Sequence, residues 1–249
     1  MEKNRIYGEA VDIDHNKVEQ FYDSRAQNIN NMKNPYSSVM LSDHDPQRVE
    51  KRMKIEYETI LPKFRVDESS SVLDIGCGIG RFGEKLLPIC QNYTGVDFSQ
   101  KMIDVAKERL SFGGEKVKLH RASFQELVAE FEAAKHTHML ISGVLMYISD
   151  SDAHSCLKGL LRFAAEKCIV YISESCGIRE RLTLKNFPSE ALKTEYNVIF
   201  RTKNEYNELL SIFTENGFNT VYSEFYSNLG GDVTFGETDR LYIILERGV

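Results

Sequence analysis

The sequence predicts an α/β chain built on a mostly parallel sheet covered by helices on both faces. Three observations predict it. Short apolar runs alternate with amphipathic stretches from Ser71 onward, a glycine-rich turn joins the first such run to a helix, and two runs near the C-terminus have no helix between them. The chain has 249 residues, 42% of them hydrophobic and 27% charged, enough for one elaborated domain with a large core.

Residues 1–65 are rich in Asn, Asp and charge. Val18, Phe21 and Tyr22 repeat at helical spacing, as do Val49, Met53, Ile55, Tyr57 and Ile60, and Pro62 is expected to close the second helix within a residue or two. The strand and helix pattern then begins with Val72 to Ile75 as a strand, Gly80 to about Cys90 as a helix and Tyr93 to Asp97 as a strand. Ser99 caps the next helix, which carries Met102, Val105, Ala106 and Leu110. Val117–His120, Met139–Ser142 and Cys168–Ile172 are further strands, with helices near Ser123–Phe131 and Asp152–Ala165 between them. Residues 177–203 show no clean period and read as an inserted loop or cap. A helix over Asn204–Asn216 follows, and Phe218–Phe225 and Leu241–Glu246 make an antiparallel hairpin at the sheet edge, joined through Gly230-Gly231.

Charge and cysteine content narrow the function. Lys and Arg number 31 against 37 Asp and Glu, a net charge of −6 with no basic run, which disfavours nucleic acid as a partner. The N-terminus lacks an apolar leader and no segment is long enough to span a membrane, so a soluble, cytoplasmic protein is expected. Cys77, Cys90, Cys156, Cys168 and Cys176 are scattered and form no metal pattern, so reduced thiols and no metal are expected.

The chemistry concentrates in Leu73-Asp74-Ile75-Gly76-Cys77-Gly78-Ile79-Gly80-Arg81-Phe82-Gly83, where the backbone turns sharply and a ligand approaches it closely. A phosphate-binding P-loop needs Lys and Ser/Thr after its last glycine, but Glu84-Lys85 stand there. A dinucleotide fingerprint fits Gly78, Gly80 and Gly83 literally, with Asp97 19 residues on, yet leaves Asp74 without a role. Taking Asp74 with Gly76-x-Gly78-x-Gly80 instead, the segment resembles the glycine loop of class I S-adenosylmethionine-dependent methyltransferases.

That resemblance covers about Ser71 to Arg247 and implies a Rossmann-like, seven-stranded, mostly parallel sheet with an antiparallel C-terminal edge strand. It makes residues 1–65 an N-terminal helical lid and residues 66–249 the methyltransferase domain, with the 177–203 cap inserted. It implies that Asp74, Gly76, Cys77, Gly78 and Gly80 surround S-adenosylmethionine and that Asp97 accepts both ribose hydroxyls, with Phe98 against adenine. Ser123 stands where the family usually has an Asp toward the adenine amino group, so backbone groups at Ser123 and Phe124 take that place. Ser142 and Gly143, in Ile141–Ile148, line the methionine side; His138 replaces the strand's usual leading Asp, and Met146-Tyr147 an acid-His pair.

Methyl transfer needs alignment and exclusion of water, and a base only when the acceptor is a hydroxyl. Tyr147 and Glu174 are the candidates to act on the acceptor. Tyr22 is a candidate cover for the cofactor, or plain core of an amphipathic helix. Arg179 and Arg201 flank the insertion and suit a phosphate or carboxylate on the substrate, unless they and Arg181 are ordinary surface charges; Arg48 and Arg52 read as a solvated face. The expected activity is methylation of a hydroxyl or amine on a small molecule, leaning to a sugar or surface-polysaccharide or natural-product precursor. A tRNA or protein methyltransferase and a non-catalytic cofactor-binding partner are the alternatives.

Overall fold

A computed structural model describes residues 4–43, 45–233 and 236–249. Strand β1 (Arg5–Tyr7) is followed by α1 (His15–Gln27), α2 (Ser37–Met40), α3 (Pro46–Ile55) and α4 (Leu61–Phe64). Then come β2 (Ser71–Ile75), α5 (Gly83–Leu86), β3 (Asn92–Asp97), α6 (Gln100–Arg109), β4 (Val117–Arg121), α7 (Phe124–Glu130), β5 (His136–Ser142), α8 (Asp150–Leu160) and β6 (Ala164–Gly177). The chain ends with β7 (Leu182–Ser189), β8 (Thr194–Phe200), α9 (Lys203–Thr214), β9 (Asn219–Phe225) and β10 (Thr238–Arg247).

Seven strands form the main sheet in the order β4-β3-β2-β5-β6-β10-β9. The five from β4 to β6 are parallel, and β10 runs antiparallel to both neighbours, so the antiparallel strand lies one place in from the edge that β9 forms. The strands are apolar on both faces because both faces are buried. Leu73, Ile75, Met139, Ile141, Val170, Ile172, Leu241 and Ile243 pack toward Phe124, Leu127, Leu157 and Phe213. Their sequence neighbours Val72, Leu140, Tyr171, Tyr242 and Ile244 pack on the other side with Ile60, Phe64, Leu86 and Leu87. Asp14, Ser99, Ser123, Ser149 and Thr202 cap their helices by accepting backbone N–H groups. No helix among the described residues is long and apolar enough to cross a membrane.

Three expectations change. The helix after the glycine loop shrinks to Gly83–Leu86, because turns occupy the residues on either side. The second helix ends at Phe64, two residues past Pro62, after a π-helical turn over Glu56–Ile60, with Leu61 N–H donating to Glu56 O, resets the ladder just before the proline. Residues 177–203 are a β-hairpin, not an irregular cap. Its strand β7 pairs with β8 and with β1, so the N-terminal zone is helical only in part. A register shift between Leu184 and Phe187 and a left-handed Asn186 hide the two-residue alternation in the sequence.

Arg201 explains how this hairpin attaches to the sheet. It is fully buried; its Nε donates to Asp150 at 2.7 Å, Nη1 to Leu145 O at 2.5 Å and Nη2 to Ile148 O at 2.6 Å. Replacing it by methionine, Arg201→Met, strands two carbonyls away from water, so urea denaturation is expected to show a loss of about 2–4 kcal/mol.

Candidate functional site

The strand order reverses between β2 and β5, and the crevice beyond their C-terminal ends is where open α/β sheets bind ligands. The glycine loop enters this crevice stitched to the neighbouring strand. Gly76 N–H and Cys77 N–H both donate to Val96 O, at 2.7 and 3.0 Å. Gly78 N–H donates to Asp97 Oδ2 and Ser99 N–H to Asp97 Oδ1, each at 2.9 Å. The turn is left-handed at Gly76 (φ 70°) and Gly78 (φ 53°), and a Cβ on Gly76 would run into Val144. Burial pushes the Asp97 carboxyl up to about 6 against the two N–H groups that favour its ionised form.

Two cavities open here. The smaller, about 400 Å³, is lined by Asp97, Phe98, Ser123, Phe124, Ser142 and Gly143. The larger, about 500 Å³, lies under the N-terminal helices and the β7–β8 hairpin and is lined by Met40, Leu41, Leu182, Leu184, Phe187, Tyr196 and the arginines Arg5, Arg48, Arg52, Arg81 and Arg240. Tyr22, Gly76, Gly78, Ser142, Gly143 and Tyr147 line both, so the cavities meet there. At this junction Tyr22 donates its phenol hydrogen to Tyr147 at 2.9 Å, and Tyr147 shares a hydrogen bond of 2.7 Å with Tyr196. Desolvation pushes Tyr22 up to about 12 and Tyr147 well above its usual range, so both phenols stay protonated near neutral pH. Tyr22 stands edge-on to Phe98, ring centres 6.0 Å apart, and α1 is held at α6 by Ser99 Oγ donating to Asp23 at 2.5 Å.

Comparisons with known proteins agree with this layout. Residues 72–167 match the family described as a methyltransferase domain. The ubiquinone biosynthesis O-methyltransferase of Aromatoleum aromaticum is 42% identical over 59 residues, 24% of this chain and 25% of that protein. The chain thus aligns with about a quarter of the length of the curated relatives it matches. Among solved structures, phosphoethanolamine N-methyltransferase 1 of Haemonchus contortus, in complex with phosphoethanolamine and S-adenosylhomocysteine, superposes with a TM-score of 0.72 at 19% identity, covering 94% of this chain and 49% of that one. The N-methyltransferase NodS of Bradyrhizobium japonicum, in complex with S-adenosylhomocysteine, gives 0.59 at 15% identity over 92% and 99%. Residues 72–167 thus match a methyltransferase domain, and the fold is that of the class I S-adenosylmethionine-dependent methyltransferases.

Within this methyltransferase fold most residues singled out from sequence reach the crevice. Gly76, Gly78, Ser142, Gly143, Tyr22 and Tyr147 stand at the junction, Asp97, Phe98, Ser123 and Phe124 around the smaller cavity, and Cys77 at the larger one. The Ser123 hydroxyl accepts Glu126 N–H, its own N–H donates to Glu126 Oε2 and its carbonyl accepts Leu127 N–H, so of the two residues Phe124, with its N–H at the first helical position, is the one whose backbone is left to face the cavity. Five residues do not reach it. Asp74 lies buried beneath the loop, with Oδ2 accepting from Tyr93 at 2.5 Å and Oδ1 without a protein partner. Gly80, at φ 81°, continues the left-handed turn beneath the site, where a Cβ would also sit 2.8 Å from Leu110 Cδ1. Glu174, expected to act on the acceptor, instead anchors the chain leaving β5: Val144 and Leu145 N–H donate to its Oε1 at 2.9 and 3.0 Å and Met146 N–H to Oε2 at 3.3 Å. Arg201 is spent on the hairpin attachment, and Arg179 is exposed on the turn before β7. Arg181 pairs with Asp150 and Glu205, at 2.9 and 3.0 Å.

The cavity arginines are the main residues that sequence reasoning missed. Arg52 and Arg48 read as solvent-facing but line the larger cavity, and Arg240 received no role. Its signal was the alternation of the last strand, which puts Arg240 on the same face as Tyr242 and Ile244.

Burial pushes the Asp74 carboxyl up to about 7 from a reference of 3.8. An acid raised by folding makes the fold more stable as pH falls through the folded value, and Asp74→Asn lacks that dependence. The variant is expected to be the more stable of the two at about pH 8.5, with an advantage about 2 kcal/mol smaller at about pH 5.5, read from urea midpoints.

Proposed function

We propose that this chain transfers a methyl group from S-adenosylmethionine to a hydroxyl or amine of a small molecule. The observation that carries this reading is the junction of two cavities, one floored by a buried carboxylate and a glycine turn, the other large enough for an acceptor. The residues of the smaller cavity suit the cofactor. Each Asp97 oxygen accepts one backbone N–H and keeps a lone pair for a ribose hydroxyl, and an ionised acceptor strengthens both bonds. The Cβ-free surface at Gly76 leaves room for the amino acid portion, and Phe98 offers an apolar face to adenine. When bound, S-adenosylmethionine supplies an electrophilic methyl on a sulfonium.

The protein's part is alignment and exclusion of water. The cavity-lining residues of the 1–65 zone, Arg5, Tyr22, Met40, Leu41 and Arg48 among them, roof the junction with the 177–203 hairpin and serve as the lid, with the remainder, within 66–249, holding the cofactor. Tyr147, held by Tyr22 and Tyr196, presents its hydroxyl toward the acceptor as a hydrogen-bond partner; its raised pKa suits orientation rather than proton removal. The relatives' names cover O- and N-methyl transfer, so both acceptor atoms stay within the reading. Met40, Leu41, Leu182, Leu184 and Phe187 suit an acceptor with an apolar body better than the sugar precursor favoured from sequence. Five buried, unpaired cysteines fit action in the cytoplasm.

Calorimetric titration with S-adenosylhomocysteine tests the cofactor half. Asp97→Ala is expected to weaken binding about a hundredfold by removing two charge-assisted bonds. Wild-type affinity is expected to fall as pH drops through about 6, where the Asp97 carboxylate takes up a proton. Binding of NAD with none of S-adenosylhomocysteine at millimolar concentration would overturn the reading.

A further inference from the structure

Arg240 is a cation at the junction with no carboxylate partner among the described residues. Its Nη1 donates to Ser173 O and Oγ, at 3.1 and 2.8 Å, and Nη2 to Ser175 Oγ at 3.5 Å, all of them neutral acceptors. Nη2 lies 4.0 Å from where a Cβ on Gly143 would stand, and Gly143 borders both cavities. Arg52 and Arg81 line the same cavity and share a single carboxylate, Glu56, at 3.4 and 2.5 Å. Glu56 is fully buried and also accepts from Tyr242 at 3.2 Å. Arg52 and Arg81 thus share one glutamate on this wall, and the Arg240 charge acts on it from nearby, as it does on buried Glu174.

The other charges of the cavity are already engaged. Arg5 pairs with Glu237 and Lys51 with Asp232 at exposed positions, while Arg48, like Arg240, has a neutral acceptor, the Asp232 carbonyl, but holds it at the exposed rim of the cavity. Asp43 pairs with Arg25 and Asp45 caps α3. Asp239 receives the N–H groups of Ser227 and Arg240, at 3.3 and 2.7 Å. An uncompensated cation drawn partly out of water is costly until an anion meets it. Burial, and then the Arg240 charge, lower the pKa of Arg52, as an excess of positive charge should.

We propose that the methyl acceptor carries an oxyanion, a carboxylate or a phosphate, which Arg240 receives with Arg52 behind it. This rests on the methyltransferase reading and names the substrate class for that site. The serine contacts of Arg240 fix its planar fork, the geometry that receives two oxygens of one anion. Because the fork stands beside Gly143, the charged group and the methylated atom are few bonds apart, and the apolar body extends along Leu182, Leu184 and Phe187.

The test titrates the protein saturated with S-adenosylhomocysteine with phenyl phosphate, benzoate and uncharged benzyl alcohol at constant ionic strength. At least one anion is expected to bind about tenfold or more tighter than the alcohol, and the stronger of the two identifies the group. Arg240→Gln is expected to weaken that anion about ten- to a hundredfold while leaving the alcohol and S-adenosylhomocysteine unchanged, with part of the loss recovered in Arg240→Lys. If Arg240→Gln does not fold, Arg52→Gln, which keeps the Glu56–Arg81 pair, replaces it with a smaller loss in the same direction. Anions that bind no better than the alcohol, or that are indifferent to these variants, overturn the inference and leave the methyltransferase reading standing. Failure to bind S-adenosylhomocysteine overturns that reading and this inference with it.

Discussion

The bond from Gly78 N–H to the Asp97 carboxylate is the constraint on which the site depends. It fastens the loop that leaves β2 to the end of β3, and it does so only because Gly76 and Gly78 turn left-handed and aim successive N–H groups at the neighbouring strand. The same construction recurs at the next strand end. Gly143, at φ 70°, donates to Ser173 O, and Glu174 collects the three N–H groups that follow. Asp97 at the end of β3 and Glu174 within β6 thus each satisfy backbone groups that have left the neighbouring strand, which a buried crevice requires. Their difference is exposure to the crevice: Asp97 borders the smaller cavity, and Glu174 borders neither. Two acids that look alike in sequence are thus separated by whether they border a cavity.

Glu56 sets the second constraint, on the acceptor side. The π-helical turn that begins with it lies on the apolar wall formed by Ile60, Phe64 and Tyr171, an unfavourable place for a lone carboxylate. Burial raises its pKa, yet Arg81 and Arg52 outweigh burial and hold it down at about 2. One carboxylate cannot neutralise both arginines together with Arg240, so the clamp that makes Glu56 tolerable also leaves the wall positive. Stability and ligand recognition are therefore coupled through the same few side chains.

The sequence made the central sheet legible because parallel strands buried on two faces are short apolar runs wherever they occur, as in Val72-Leu73-Asp74-Ile75 and Ile169-Val170-Tyr171-Ile172. The cofactor loop was legible because a left-handed turn all but demands glycine. The β7–β8 hairpin was not, since its register shift breaks the alternation and its pairing with β1 joins segments far apart in the chain. Arginines were read worst. Arg201 and Arg181 sit near the insertion, where a substrate was expected, but they bind carbonyls and acids of the protein. Arg240 and Arg52 sit nearly two hundred residues apart and become one feature only through Glu56 and the order of the sheet, which no local pattern encodes.

A positive wall also bears on the missing base. No histidine of the described residues lines the larger cavity, and each carboxylate there is held by a cation or a backbone N–H group. Neighbouring positive charge disfavours an ammonium and favours an oxyanion, so it lowers the pKa of an amine and of a hydroxyl alike. Either change exposes the lone pair that attacks the methyl group. A substrate oxyanion on Arg240 would cancel part of this field, which leaves Arg52 and Arg81, each only partly balanced by Glu56, as the residual source.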